Sequence, residues 1–250
     1  MTTLSNFSIG SQFAADAAFK ARRTMTGAIA RMSTGERTMH GHDPAGASVG
    51  DSLRTQARSA FVAGRSAEDG ISFLISAESI LMEMAVLNTR LRELAVQKSS
   101  GLLQAAEISA ITAEENAIII AADKIADTEL NNVDPLSEVS VAVSSSGTLA
   151  HIGVTKKPEL DSGVANVDAQ MAIIQKALGE VGAGINALKG HQSNMFSYSS
   201  NTDAAASRIL DVDFAKESSI LAQSSILNQS AMAMVAQANR AQANLLTLLE

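Results

Sequence analysis

The stretch from Ser218 to Glu250 narrows the choice of folds more than any other part of the chain. Alternating steps of four and three pick out Ile220, Ser224, Leu227, Ala231, Met234, Ala238, Ala241, Leu245 and Leu248. That is a heptad seam carried to the last turn. A second apolar file runs beside it at Leu221, Met232, Val235, Leu246 and Leu249, and between Ser218 and Leu249 the only formal charge is Arg240. A helix so poor in charge is ill suited to facing water. Its scattered amides, Gln223, Asn228, Gln229, Gln237, Asn239, Gln242 and Asn244, interrupt any membrane-length apolar run. Its expected surroundings are other helices, which makes it an assembly element.

Residues 1–42 mirror that end. Up to Phe19 the only charged side chain is Asp16, and a helical stripe follows at Ala14, Ala18, Ala21, Met25, Ala28 and Met32. The two ends are expected to pair with each other. Alanine seams let helices approach closely, but each position buries little area, so stability must accumulate over length. Alone, neither end offsets its ordering entropy, and both are expected to be disordered in an isolated chain.

Between the ends the pattern is mainly helical. The whole chain holds three prolines, no tryptophan and one tyrosine, a composition suited to long helices with small side chains. Asp43-Pro44 predicts a helix start, since Asp accepts a backbone N–H and Pro fits the first helical position. Leu53, Ala60, Ala67, Leu74 and Leu81 then recur at sevens, with Ala63, Ala77, Met84 and Leu91 between them. The run predicts a rod of roughly 80 Å to about Gln97, closed by Ser99-Ser100-Gly101 with the glycine as cap or turn. A second helix is predicted over 104–129, with Ile108, Ile111, Ile118, Ala122 and Ile125 inward. Val139, Val141 and Val143 alternate with small residues, Ser144–Gly147 marks a turn, and Ala150, Ile152 and Val154 alternate again, predicting a β-hairpin at about 139–155. Lys157-Pro158 ends it.

From Val164 a regular seam runs through Val167, Met171, Ile174, Leu178, Val181, Ile185, Leu188, Gln192 and Met195. Gly179, Gly182 and Gly184 sit off this seam and admit bending or close approach of a neighbour. The helix is expected to reach Tyr198 or further, through Ser207–Phe214. The fold class is therefore mainly α: a long antiparallel helical rod with one β-hairpin, whose first and last segments return to the same end.

At this point the residues resemble bacterial flagellin over nearly the whole chain. Ala30 to Arg37 is similar to the family's Arg-Leu-Ser-Ser-Gly-x-Arg motif, and Asp43, Ala45 and Gly46 to the Asp-Asp-Ala-Ala-Gly segment opening its long helix. Pro44 and the His40-Gly41-His42 lead-in depart from that pattern. Ser207-Arg208-Ile209, Asp211, Asp213 and Ala215 resemble Ser-Arg-Ile-x-Asp-x-Asp-x-Ala. Ile226–Gln229, Gln237–Asn239 and Leu245–Leu249 resemble the closing helix. The resemblance implies a secreted filament subunit of swimming motility. Residues 1–42 and 208–250 would form a discontinuous inner-tube coiled-coil domain, and 43–207 a rod domain. Only about thirty residues lie between Glu129 and Leu160, so the outer domains of larger relatives are missing. Partners implied are other flagellin copies, the hook-associated junction and cap proteins, the export apparatus and its chaperone. Export would occur without a cleaved signal peptide, in keeping with an N-terminus lacking the basic start and apolar core of one. The nearest alternative is the hook–filament junction protein itself, which shares the terminal coiled-coil design.

Subunit–subunit contact is expected along Ile220, Leu227, Met234, Leu245 and Leu248 on one end and Ala18 and Met25 on the other. Arg90 to Gln97 also resembles a stretch that animal innate immune receptors read in many flagellins, with Glu114 at the position of the accompanying contact. The resemblance names Arg90, Leu94 and Glu114 as receptor contacts. The same helix would face neighbouring subunits in a filament, so assembly alone accounts for these residues too.

No catalytic, cofactor or metal site is expected. His40, His42 and Asp43 lack a fourth ligand nearby in sequence and read as a solvated loop; His151 and His191 read as surface residues. Gly182-Ala183-Gly184 lacks the preceding strand a dinucleotide loop needs. The acidic pairs Glu114-Glu115 and Asp211/Asp213 read as helix surface and helix start respectively. Net charge is −7 with no basic stripe, which argues against a nucleic-acid partner, and no membrane span is expected. Cysteine is absent, so neither disulfides nor thiolate chemistry arise.

Overall fold

The computed structural model describes residues 2–38, 41 and 43–247, with side chains from 9 to 244. Among the described residues there are five helices and one two-stranded antiparallel sheet. The helices are α1 (Thr2–Thr34), α2 (Pro44–Lys98), α3 (Ala105–Ala126), α4 (Val164–Leu210) and α5 (Phe214–Thr247), and the strands are β1 (Val139–Ala142) and β2 (Leu149–Ile152). The chain divides into two compact units, residues 55–202 and residues 1–54 with 203–250.

In the unit of residues 55–202, α2 and α4 run in opposite directions. The Asn88 side-chain N–H donates to the carbonyl of Val167 at 2.9 Å, and the Ser199 hydroxyl donates to that of Ala57 at 2.8 Å. Both helices present buried residues at steps of seven: Ala67, Leu74, Leu81 on one and Val167, Ile174, Val181, Leu188 on the other. Ala122 and Ala126 of α3 and Val141, Val143, Ile152 and Val154 of the hairpin complete the core. The stretch of α2 with a mean hydropathy of 1.6 is long and apolar enough to cross a membrane, but its heptad face, Leu74, Leu81 and Met84, belongs to this core.

The hairpin pairs Val139 with Ile152 and Val141 with Ala150. Gly147, at φ +80°, closes its turn with an N–H to the Ser144 carbonyl at 3.0 Å. Of Gly179, Gly182 and Gly184 on α4, only Gly184 receives a neighbour closely: a Cβ there would meet Leu74 Cδ1 at 2.9 Å, whereas Gly179 and Gly182 face open space.

Two elements end differently from the sequence expectation. α3 stops at Ala126, because the chain turns through Asn131 and Asn132, both left-handed, where Leu130 and Val133 bridge each other. α2 ends at Lys98, its Ser99 and Ser100 N–H groups donating to the Ala95 and Gln97 carbonyls, and Gly101 lies in the turn that follows, as expected. The fourth helix does not run on through Phe214. It ends at Leu210, and Asp213 caps α5 by accepting the Ala215 and Lys216 N–H groups at 3.0 and 3.1 Å.

Two polar ties hold the segment that follows the hairpin. Lys157 donates to Asp127 at 2.9 Å and Asp134 at 3.2 Å. Burial acts against its ammonium, but the two carboxylates outweigh it and hold the pKa above 10.5. Glu180 on α4 accepts the Thr155 backbone N–H and hydroxyl, each at 2.9 Å. The backbone hydrogen bond chiefly lowers the Glu180 pKa below 4.5, against desolvation, with the Thr155 hydroxyl and Lys176 adding to it. A carboxylate depressed by folding stabilises the fold above its unfolded value, and that gain is lost as pH falls through the folded one. Glu180→Gln is therefore expected to melt below wild type at pH 7. In thermal scans the gap should narrow once the pH drops below 4.5. Separately, Leu74→Ala should cost about 2–5 kcal/mol in urea titrations, because it empties a fully buried site.

Candidate assembly interface

The two ends of the chain pack together as α1 against α5. Low charge and small residues allow this approach. On α1 the buried positions are Ala18, Ala21 and Ala28, and on α5 they are Glu217, Ser224 and Ala231, spaced by seven. Met25 and Ile220 are half-buried beside them.

A strong polar contact of the pair is bidentate. Arg31 Nε and Nη2 donate to the two carboxylate oxygens of Glu217 at 2.9 and 2.8 Å. The hydrogen bond to Glu217 raises the Arg31 pKa further above its ordinary value, with burial opposing and the charge of Glu217 assisting. Sequence reasoning missed this pair. Its signal was that Glu217 is the one acidic residue of α5.

The exit from α1 is fastened to the α4–α5 break. Gly35, at φ +74°, ends α1, its N–H returning to the Arg31 carbonyl at 2.9 Å. Glu36 then bridges Asp211, with the Arg37 N–H on the Leu210 carbonyl at 2.6 Å and the Val212 N–H on the Gly35 carbonyl at 3.0 Å. Arg54 adds ion pairs to Glu36 at 3.4 Å and Asp211 at 3.2 Å.

Much apolar surface on this pair remains uncovered. Leu227 and Met234 are 53% and 64% exposed, and Phe13, Phe19, Ile226 and Met232 are exposed as well. A groove of about 610 Å³ lies between the helices, walled by Ala17, Ala21, Ile220, Leu227, Ala231 and Met234 among others. Of the expected seam residues, Ala18 lies inside the pair, Met25 at its edge, and Ile220, Leu227 and Met234 on the groove. The side chain of Leu245 and the whole of Leu248 lie outside the described residues, as do His40 and His42.

The receptor-like stretch is divided by the fold. Arg90 is exposed, its guanidinium shared between Glu114 (2.7 and 3.0 Å) and Glu93 (2.9 Å). Those hydrogen bonds, Glu114 first, raise its pKa above the ordinary guanidinium value. Leu94 is only 1% exposed, so its expected role as a surface contact is corrected: the docking of the unit's helices buries it. Nearby, Glu115, expected on the helix surface with Glu114, is instead only 2% exposed, its carboxylate paired with Lys98 at 2.7 Å. Among the described residues no group of three or more His, Asp and Glu side chains could hold a metal ion.

A helical chain whose two ends pair through alanine, leaving large apolar side chains uncovered along the pair, belongs to the class of subunits that complete their packing in a polymer. The family models agree. The bacterial flagellin N-terminal helical region matches residues 9–139, and the bacterial flagellin C-terminal helical region matches residues 164–249. A flagellin of Halalkalibacterium halodurans is 31% identical over 89% of this chain and 90% of its own. The flagellar filament 33 kDa core protein of Treponema phagedenis is 32% identical over 88% and 90%. A flagellin of Bacillus subtilis is 29% identical over the same shares, 88% and 90%. The chain belongs to the bacterial flagellin family, a family of structural proteins.

The contrast between the two arginines is measurable. Arg31→Ala leaves the Glu217 carboxylate buried without its partner and should cost about 1–3 kcal/mol. Arg90→Ala removes an exposed pair and should leave stability nearly unchanged. Hydrogen exchange under filament-forming conditions checks this, read at the α1 and α5 amides for Arg31→Ala and at the α2 and α3 amides for Arg90→Ala.

Proposed function

We propose that the chain is the self-assembling subunit of the bacterial flagellar filament, and that α1 and α5 reach full order only among neighbouring copies. The uneven burial of the α1–α5 pair carries this reading. Its inner face is closed by alanine and one ion pair, while Leu227, Met234, Ile226 and Met232 each stand more than half exposed. Covering them with equivalent helices of other copies couples ordering to binding. Contact between unlike surfaces whose rotation does not close produces a helical polymer instead of a ring.

In this reading residues 1–42 and 208–250 form the inner tube, and residues 43–207 the surrounding layer. Support for lateral packing of the outer layer comes from α2, where Ile75, Met82 and Val86 are 50%, 58% and 63% exposed on the side away from the core. Family membership supports an extracellular place in the flagellum, and with it export without signal cleavage, an export chaperone, and junction and cap proteins at the filament ends. The junction-protein alternative is not favoured by the filament proteins this chain matches. Receptor recognition of the free subunit rests on the exposed Arg90–Glu114 pair alone. Room for a second subunit packing exists near Gly182, which faces open space, and the hairpin beside it is the other element for such a switch.

Leu227→Asp and Met234→Asp test the reading. Both side chains are exposed in the single chain, so the circular dichroism of residues 55–202 should not change. Seeded polymerisation followed by electron microscopy and sedimentation should show a critical concentration raised about tenfold or more. Filaments growing as readily as wild type would contradict the reading.

A further inference from the structure

The most exposed large apolar side chain among the described residues is not on the terminal helices. Leu102 is 92% exposed at the tip of the α2–α3 turn, next to Gly101. Nothing in the turn requires a leucine there. At the opposite end of the same unit, α2 and the hairpin turn enclose a cleft of about 380 Å³, lined by Arg58, Val62, Ala63, Ser66, Ala142 and Gly147 among others. Val62 is 64% exposed on its wall. Arg58 has no carboxylate partner among the described residues. At the base of the Leu102 turn stands a carboxylate, Glu107, which is exposed and holds the turn by accepting the Gln104 N–H at 2.9 Å. One end of the unit therefore presents an apolar knob beside an acid, and the other an apolar recess beside a free cation.

We propose that Leu102 of one copy seats in the Val62–Ala142 cleft of the next, with Glu107 facing Arg58. Shape and charge both choose a second copy of this chain as the occupant. Because knob and recess are different surfaces, each copy uses both and the contact propagates head to tail. Val62 and Lys98 stand about 54 Å apart along α2 at 1.5 Å per residue, so successive copies are displaced by roughly that distance along the helix. This contact rests on the filament reading but is separate from the α1–α5 groove.

The chain has no cysteine, so paired substitutions report on the contact cleanly. Leu102→Cys and Val62→Cys are introduced singly and together, filaments are verified by electron microscopy, and a short bis-maleimide is added before denaturing electrophoresis. The double variant should give a ladder of linked oligomers. A copolymer of the two single variants should give dimers only, and each single variant alone should give none. Filaments of the double variant that yield only monomers overturn the contact while leaving the filament reading intact; dimers from Leu102→Cys alone would mean a symmetric contact and overturn it equally. If the substitutions themselves block assembly, a cryo-electron microscopy map of wild-type filaments decides: Leu102 must lie within van der Waals reach of Val62 of the next copy along the polymer. Wild type that never polymerises sinks the filament reading and this contact with it. A second readout is Leu102→Asp, which should raise the critical concentration about tenfold or more without moving the monomer's melting curve.

Discussion

Two helices that meet through alanine can lie close together, but they gain little by it. Ala18, Ala21 and Ala28 against Ser224 and Ala231 exclude water from a narrow seam, and each small side chain removes little apolar area from water. The Arg31–Glu217 pair adds direction, because two parallel hydrogen bonds fix the register of one helix on the other. It does not supply the missing area. Helices of this length need tertiary partners to hold, and here much of the apolar surface that could supply that stability points outward. Everything else about the terminal unit follows from that imbalance: the low charge, the amide-rich faces, and the exposed Leu227 and Met234.

The unit of residues 55–202 is built on the opposite principle. Leu74, Leu81, Val167, Ile174, Val181 and Leu188 are all fully buried, and the hairpin closes the core with Val141 and Ile152. A well-buried body beside terminal helices that leave much apolar surface uncovered suits the proposed filament subunit. Within the terminal unit the break between α4 and α5 is well fastened. The Glu36–Asp211 bridge, the Arg54 pairs and the Asp213 cap place a defined break between α4 and α5, so the closing helix leaves α4 at a set point.

Much of this was legible in the residues because it is written in local periodicity. Steps of seven from Val167 to Leu188, the Asp43-Pro44 start, where Asp43 accepts the Gly46 N–H at 2.9 Å, and the alternating valines of the hairpin all depend on neighbours in sequence. What escaped depends on residues far apart. The break at 211–213 is set by a segment near Gly35, and Leu94 is buried by packing that its own helix does not reveal. The heptad reading of the last helix treated one stripe as a single seam. The pair with α1 uses Glu217, Ser224 and Ala231 and leaves the larger members of the stripe facing out, because only small residues fit against Ala18 and Ala28. The left-handed Asn131–Asn132 turn was visible as an Asn pair but carried no periodicity to mark it.

The most direct measurement is hydrogen–deuterium exchange of the α1 and α5 amides, compared between the chain in dilute solution and the same chain in filaments. Those amides should exchange within seconds in dilute solution and be protected by at least about a thousandfold on assembly, while amides at Leu81 and Ile174 stay protected in both. Equal, strong protection of α1 and α5 in the solitary chain would mean that the alanine seam suffices by itself, and the account of a fold completed by sister copies would be wrong.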